Sequence, residues 1–144
     1  MAKELFTDTE IKKIETAIGE AEKNTSGEIR VHIEKKCKEE VLDRAAFVFE
    51  LLQMHKTELR NGVLFYLAVN DKQLAILGDV GINKKVPEGF WDGIRDTMVN
   101  QFKAGNFSEG LAEGIKMAGQ QLKSHFPYQK DDVDELPNEV SFGK

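Results

Sequence analysis

Hydrophobic and polar positions alternate with two distinct periods along the chain, and the changes of period mark the elements. In "FTDTEIKKIETAIGEAEKNTSG", Ile11, Ile14, Ile18 and Ala21 recur at helical spacing. Thr7 and Glu10 fit a capping box at the start of this helix, with Phe6 and Ile11 at the positions of a hydrophobic staple. Asn24 to Gly27 ends it. "EIRVHIE" then alternates strictly. Ile29, Val31 and Ile33 face one way; Glu28, Arg30, His32 and Glu34 face the other. That pattern predicts a strand with one wet face near a sheet edge. "KKCKEE" reads as a charged loop.

From Glu40 to about Thr57 the period returns to helical, with Val41, Leu42, Ala45, Phe49 and Leu52 as the stripe. Val63 to Val69 is apolar on both faces, as a central strand requires. Strand, helix and strand in this length predict a right-handed βαβ unit with parallel strands. "NDK" turns the chain, and Gln73 to Val80 returns antiparallel. Pro87 is placed as the first residue of a helix whose buried face is Phe90, Trp91, Ile94, Met98 and Phe102, closed by Gly105. Asn106 opens the last helix, with Leu111, Ile115, Ala118, Leu122 and Phe126 as its stripe. Gly110, Gly114 and Gly119 lower its helix propensity by about 0.8–1 kcal/mol each. Close approach to neighbouring helices is the expected return. Pro127 stops it.

The predicted order is α-β-α-β-β-α-α, an α/β fold in the form of a three-layer-like sandwich with a small mixed sheet. A single domain over residues 1–128 suits a chain of 144 residues. Residues 129–144 form an acidic tail without periodicity, expected to be disordered.

Charge narrows the functions. The net charge is −5, of which the tail contributes −3 through Asp131, Asp132, Asp134, Glu135 and Glu139 against Lys130 and Lys144. The rest is nearly balanced, so the basic footprint of a nucleic-acid binder is missing. Cys37 is the one cysteine. No apolar run approaches the roughly 20 residues of a membrane span. "MAKELFTDTEIKK" lacks the pattern of a signal peptide. A soluble cytoplasmic protein is the expectation.

Topology groups the candidate chemistry. Two parallel strands start at one edge of the sheet, and the third ends there. Glu28, Asn61, Asp79 and Asn83 are thereby expected at one edge, while Asp71 lies in the turn at the other. Hard cations such as calcium take six to eight oxygens at roughly 2.3–2.6 Å, and this oxygen-bearing set is their candidate site. "GDVGI" could cradle an anion on backbone N–H groups, but it lacks the full glycine motif, and an irregular strand exit accounts for it. His32, His55 and His125 show no ligand spacing. Cys37 has no arginine six residues on and reads as a loop thiol. Phe90 and Trp91, at a helix start, could anchor a protein partner.

"NGVLFYLAVNDKQLAILGDVGI" with "FKAGNFSEGLAEGI" resembles the TPM-domain family. Asn61, Gly62, Val63 and Leu64 match its "NGVL"; Asp71 and Lys72 its "D-D/R" turn; Gly78 or Asp79 to Ile82 its strand exit; and Phe102, Gly105, Asn106, Phe107 and Gly110 its later "F-x-x-G-D/N-Y/F" with following glycine. "SGEIRVHI" is similar to its first strand, with Glu28 in place. The match spans roughly Glu10 to Phe126. The resemblance implies an α/β sandwich and associates calcium with the fold. It also brings an acid phosphatase activity claimed for a thylakoid relative linked to photosystem II repair, and a relative that modulates acetylcholine receptors. It adds Asp71 and Glu88, at an acidic position of the family, to the cation ligands, and puts Asn83 where the family has Glu. Three functions follow as expectations: a non-catalytic divalent-cation module, a metal-assisted phosphatase on the same carboxylates, and a protein-interaction module.

Overall fold

A computed structural model describes residues 5–23, 25–127 and 138–143. Its elements are α1 (Asp8–Glu22), β1 (Glu28–Glu34), α2 (Val41–Leu51), β2 (Gly62–Ala68), β3 (Gln73–Gly78), α3 (Val80–Asn83), α4 (Phe90–Lys103), α5 (Phe107–His125) and β4 (Ser141–Phe142). The sheet order is β3-β2-β1-β4. β1 and β2 run parallel, β3 runs antiparallel to β2, and β4 is parallel to β1. The mixed sheet and its covering helices match the predicted sandwich.

Each face of the sheet has its own core. Ile29, Val31, Ile33, Val63, Phe65 and Leu67 meet α1, α4 and α5 on one side. Leu64, Tyr66, Ala68 and Ala75 meet Ala45, Val48 and Phe49 of α2 on the other. All seven residues of β2 are buried, as its uninterrupted apolar run requires. The capping box forms: Glu10 N donates to Thr7 Oγ1 at 3.1 Å, and Thr7 N donates to Glu10 Oε1 at 2.9 Å. The glycines of α5 do permit close approach, since a β-carbon at Gly119 would come within 2.7 Å of that of Ala21 on α1. No helix among the described residues is long and apolar enough to cross a membrane.

Several elements differ from the expectation. α2 stops at Leu51, where Gln53 takes a left-handed φ of 59°, and a short 3-10 turn at Met54–Lys56 replaces the predicted last turns. Pro87 belongs to a turn closed by Phe90 N donating to Pro87 O; Gly89, at a φ of 77°, then sets the start of α4. The predicted wet face of β1 is not wet: Glu28, His32 and Glu34 are all buried. Alternation reports two chemically different faces; here Arg44 of α2 reaches the polar one, and β4 pairs along the edge of β1 beside it. β4 itself was not predicted, because two residues carry no periodicity. Lys130 to Pro137, which hold most of the tail's acids, lie outside the described residues, as does Asn24.

Candidate functional site

The strand ends meet at the predicted edge. Glu28 stands opposite Gly62 in the ladder, with Glu28 N donating to Asn61 O at 3.4 Å. Asp79 N donates to Gly62 O at 2.9 Å. Glu28, Asn61 and Asp79 therefore share one edge, but strand alternation divides their side chains. Glu28 and Asp79 fall on the face that α2 covers, and Asn61 on the opposite one. Asp79, 5% exposed, accepts from Arg60 Nε at 2.7 Å and Nη2 at 2.9 Å, and from Val80 N at 2.7 Å. The Arg60 side chain is 46% exposed, on a residue with a left-handed φ of 52°. A shallow cleft of about 420 Å³ opens there, lined by Ala46, Phe49, His55, Arg60, Asp79 and Val80 among others.

The remaining predicted ligands are elsewhere or otherwise engaged. Asn83 donates through Nδ2 to Gly78 O at 2.8 Å and accepts through Oδ1 from Trp91 Nε1 at 3.0 Å. Glu88 is exposed in the turn before α4. Asp71 lies at the opposite edge, where Oδ2 accepts from Cys37 N at 2.8 Å and clasps the loop after β1. Asn61 is 1% exposed, and neither polar atom of its side chain has a hydrogen-bond partner. Phe90 and Trp91 form an edge-on pair with centroids 4.8 Å apart, half-buried against the main core. Among the described residues no three His, Cys, Asp or Glu side chains are placed to hold a metal.

The opposite edge holds a cluster that sequence patterning assigned to solvent. Glu34, 3% exposed, ends β1. Its Oε1 accepts from His32 Nε2 at 3.1 Å and Arg44 Nη2 at 2.5 Å; its Oε2 accepts from Arg44 Nε at 3.1 Å and the Tyr66 hydroxyl at 2.5 Å. Four donors thus fill the roughly four lone-pair sites of one carboxylate. His32 and Tyr66 are register partners on β1 and β2, their rings stacked at 6.0 Å. The second nitrogen of His32, Nδ1, is 2.8 Å from Ser141 Oγ on β4.

These contacts set the charges. Burial alone would raise the Glu34 carboxyl, but hydrogen bonds from Arg44, Tyr66 and His32 outweigh it and hold the pKa at about 2. Burial lowers that of His32, with Glu34 only partly restoring it. Burial, and then the bond to Glu34, raises the Tyr66 hydroxyl. At neutral pH the cluster is an ionised carboxylate beside a neutral imidazole. Beside it lies a cleft of about 670 Å³, whose lining includes His32, Glu34, Arg44 and Ser141, with Lys35, Lys36 and Lys38 from the loop after β1. Tyr66, the one polar side chain in the strand "GVLFYLA", is the sequence signal that could have announced it.

A sequence model described as the TPM domain matches residues 2–121. The chain is 53% identical to the BA42 protein of the psychrophilic bacterium Bizionia argentinensis, whose NMR structure superposes with a TM-score of 0.92 over 99% of each chain. The N-terminal domain of a P. gingivalis protein gives a TM-score of 0.69 at 19% identity, covering 87% of this chain and 83% of that one. The N-terminal domain of a Corynebacterium glutamicum protein gives 0.65 at 14% identity, covering 92% and 83%. The last two show the shared fold alone. No curated protein matches the chain.

Proposed function

The chain belongs to the TPM-domain family, and from that premise we propose that it binds a divalent cation, calcium fitting best, at the edge where Asp79 ends the third strand. The observation that carries this reading is the state of Asp79. Its carboxylate is buried, yet its counter-charge is a half-exposed guanidinium that solvent can reach. Arg60 holds that place through two bonds, but its side chain is half-exposed and can turn into solvent when a cation takes the carboxylate. A cation taking it would gain Asp79 and, on the same face, Glu28. Calcium tolerates irregular oxygen sets with backbone carbonyls and water completing the shell. The role at this edge is binding and regulation rather than chemistry.

Binding to the native state alone raises its stability by RT ln(1 + [L]/Kd), about 2.7 kcal/mol at a hundredfold excess. Millimolar calcium should therefore raise the melting temperature. Asp79→Ala should abolish the rise, and Arg60→Ala should enlarge it by removing the competitor. A melting temperature unmoved by calcium, magnesium and manganese alike would refute the assignment.

A further inference from the structure

The other edge of the sheet holds the Glu34 cluster and its cleft. We propose that Ser141 is an activated nucleophile, with His32 as its base and Glu34 positioning the base, in a site that takes esters carrying a negative charge. A serine hydroxyl within reach of an imidazole, itself oriented by a third group, is the general signature of nucleophilic catalysis. Here Ser141 Oγ is 2.8 Å from His32 Nδ1, and His32 Nε2 is 3.1 Å from Glu34 Oε1. Arg44 and Tyr66 occupy the remaining acceptor positions of Glu34, so the carboxylate cannot swing away. With Nε2–H donated to Glu34, Nδ1 is left as the acceptor facing Ser141. The imidazole is kept neutral at neutral pH by its burial, in the form able to take a proton.

Ser141 is held firmly although its strand is short. Gly143 N donates to Ile33 O at 2.8 Å, and Val140 N donates to Glu15 Oε2 at 3.0 Å. Gly143 has no room for a side chain, because a β-carbon there would lie 2.6 Å from Glu34 Oε1. Ser141 lines the cleft of about 670 Å³, within the roughly 300–1,000 Å³ of small-molecule sites. Lys35, Lys36, Lys38 and Arg44 outnumber Glu34 and Glu39 in its lining, and this positive balance favours an anionic substrate and the oxyanion formed from it.

The reaction is acyl transfer. Oγ bonds to the ester carbonyl carbon while its proton passes to His32 Nδ1. The carbon–oxygen bond to the alcohol breaks, and His32 returns the proton to the departing alkoxide. Water then attacks the acyl group, His32 takes its proton, and Oγ leaves carrying that proton as the acid departs.

Labelling by a fluorophosphonate tests this directly. The probe forms a phosphorus–oxygen bond to Oγ and expels fluoride, and intact mass with peptide mapping locates it. Native protein in EDTA should be labelled at Ser141 more than tenfold faster than the same protein unfolded in urea. Ser141→Ala should remove the label. Folded Glu34→Gln should slow labelling more than tenfold and move its pH midpoint downward, because Glu34 favours the imidazolium while Arg44 and Arg30 oppose it. Of two simple esters, 4-nitrophenyl hemisuccinate should be cleaved at least fivefold faster than 4-nitrophenyl acetate. Equal labelling of native and unfolded protein, a label spread over other serines, or no label at all would overturn the assignment. Equal ester rates would overturn the substrate class. EDTA removes any contribution from a cation at Asp79, so the two sites are tested apart.

Discussion

Glu34 shows how one residue can reverse its meaning between sequence and structure. In "EIRVHIE" it is one of four polar positions on an alternating strand, and alternation reads as a solvated face. In the fold it is a buried carboxylate with four donors. The difference lies in partners more distant in sequence: Arg44 is ten residues on and Tyr66 thirty-two. Periodicity describes a strand's own two faces and carries nothing about what covers them. The energetic consequence has a definite sign. A carboxylate whose folded pKa is depressed from 4.5 to about 2 contributes stability that is present above 4.5 and lost as pH falls through 2. That shift corresponds to about 3 kcal/mol. Glu34→Gln should therefore destabilise the protein by roughly 2–4 kcal/mol at pH 7, with Arg44 left facing an amide. Chemical denaturation of both proteins across pH 2–7 should show the gap closing between pH 4.5 and 2. A constant gap would mean that packing rather than charge sets the cost.

At the scale of elements, reading succeeded where a segment's own residues decide its structure. The capping box at Thr7, the left-handed Gly105 after α4 and the glycine contacts of α5 are all local devices written in local sequence. It failed at short segments fixed by contacts elsewhere, such as β4, α3 and the 3-10 turn after α2. "GDVGI" combines both cases. An irregular strand exit was expected, and the structure supplies its reason: Gly81 N donates to Arg60 O at 2.8 Å, and a β-carbon on Gly81 would stand 2.6 Å from that same oxygen. The obstacle is backbone, which cannot rotate away as a side chain could. Gly81→Ala should accordingly cost about 1–3 kcal/mol and displace Arg60 from Asp79. A melting curve and the amide resonance of Val80 would register the two effects. An unchanged melting temperature would show that the loop before β2 yields freely.

For the molecule as a whole, topology was the most legible feature. Parallel pairing of β1 with β2 and antiparallel return of β3 follow from one apolar strand, one amphipathic helix between strands and one tight turn. That topology correctly gathers Glu28, Asn61 and Asp79 at one edge and sends Asp71 to the other. What it could not supply is the direction of each side chain once there. Alternation parts Asn61 from the two carboxylates, and Asn83 is committed to Gly78 and Trp91. The candidate cation site therefore contracts from six residues to Asp79 with Glu28, and Arg60 enters as the group a cation must displace. The most direct measurement is an amide-resonance NMR titration with calcium in the millimolar range. Saturable shifts confined to the residues around Asp79, namely Arg60 to Gly62, Glu28 and Val80, are expected, with their loss in Asp79→Ala. Unshifted resonances there at saturating calcium, or shifts confined to the acidic C-terminal segment, would contradict a cation site at Asp79.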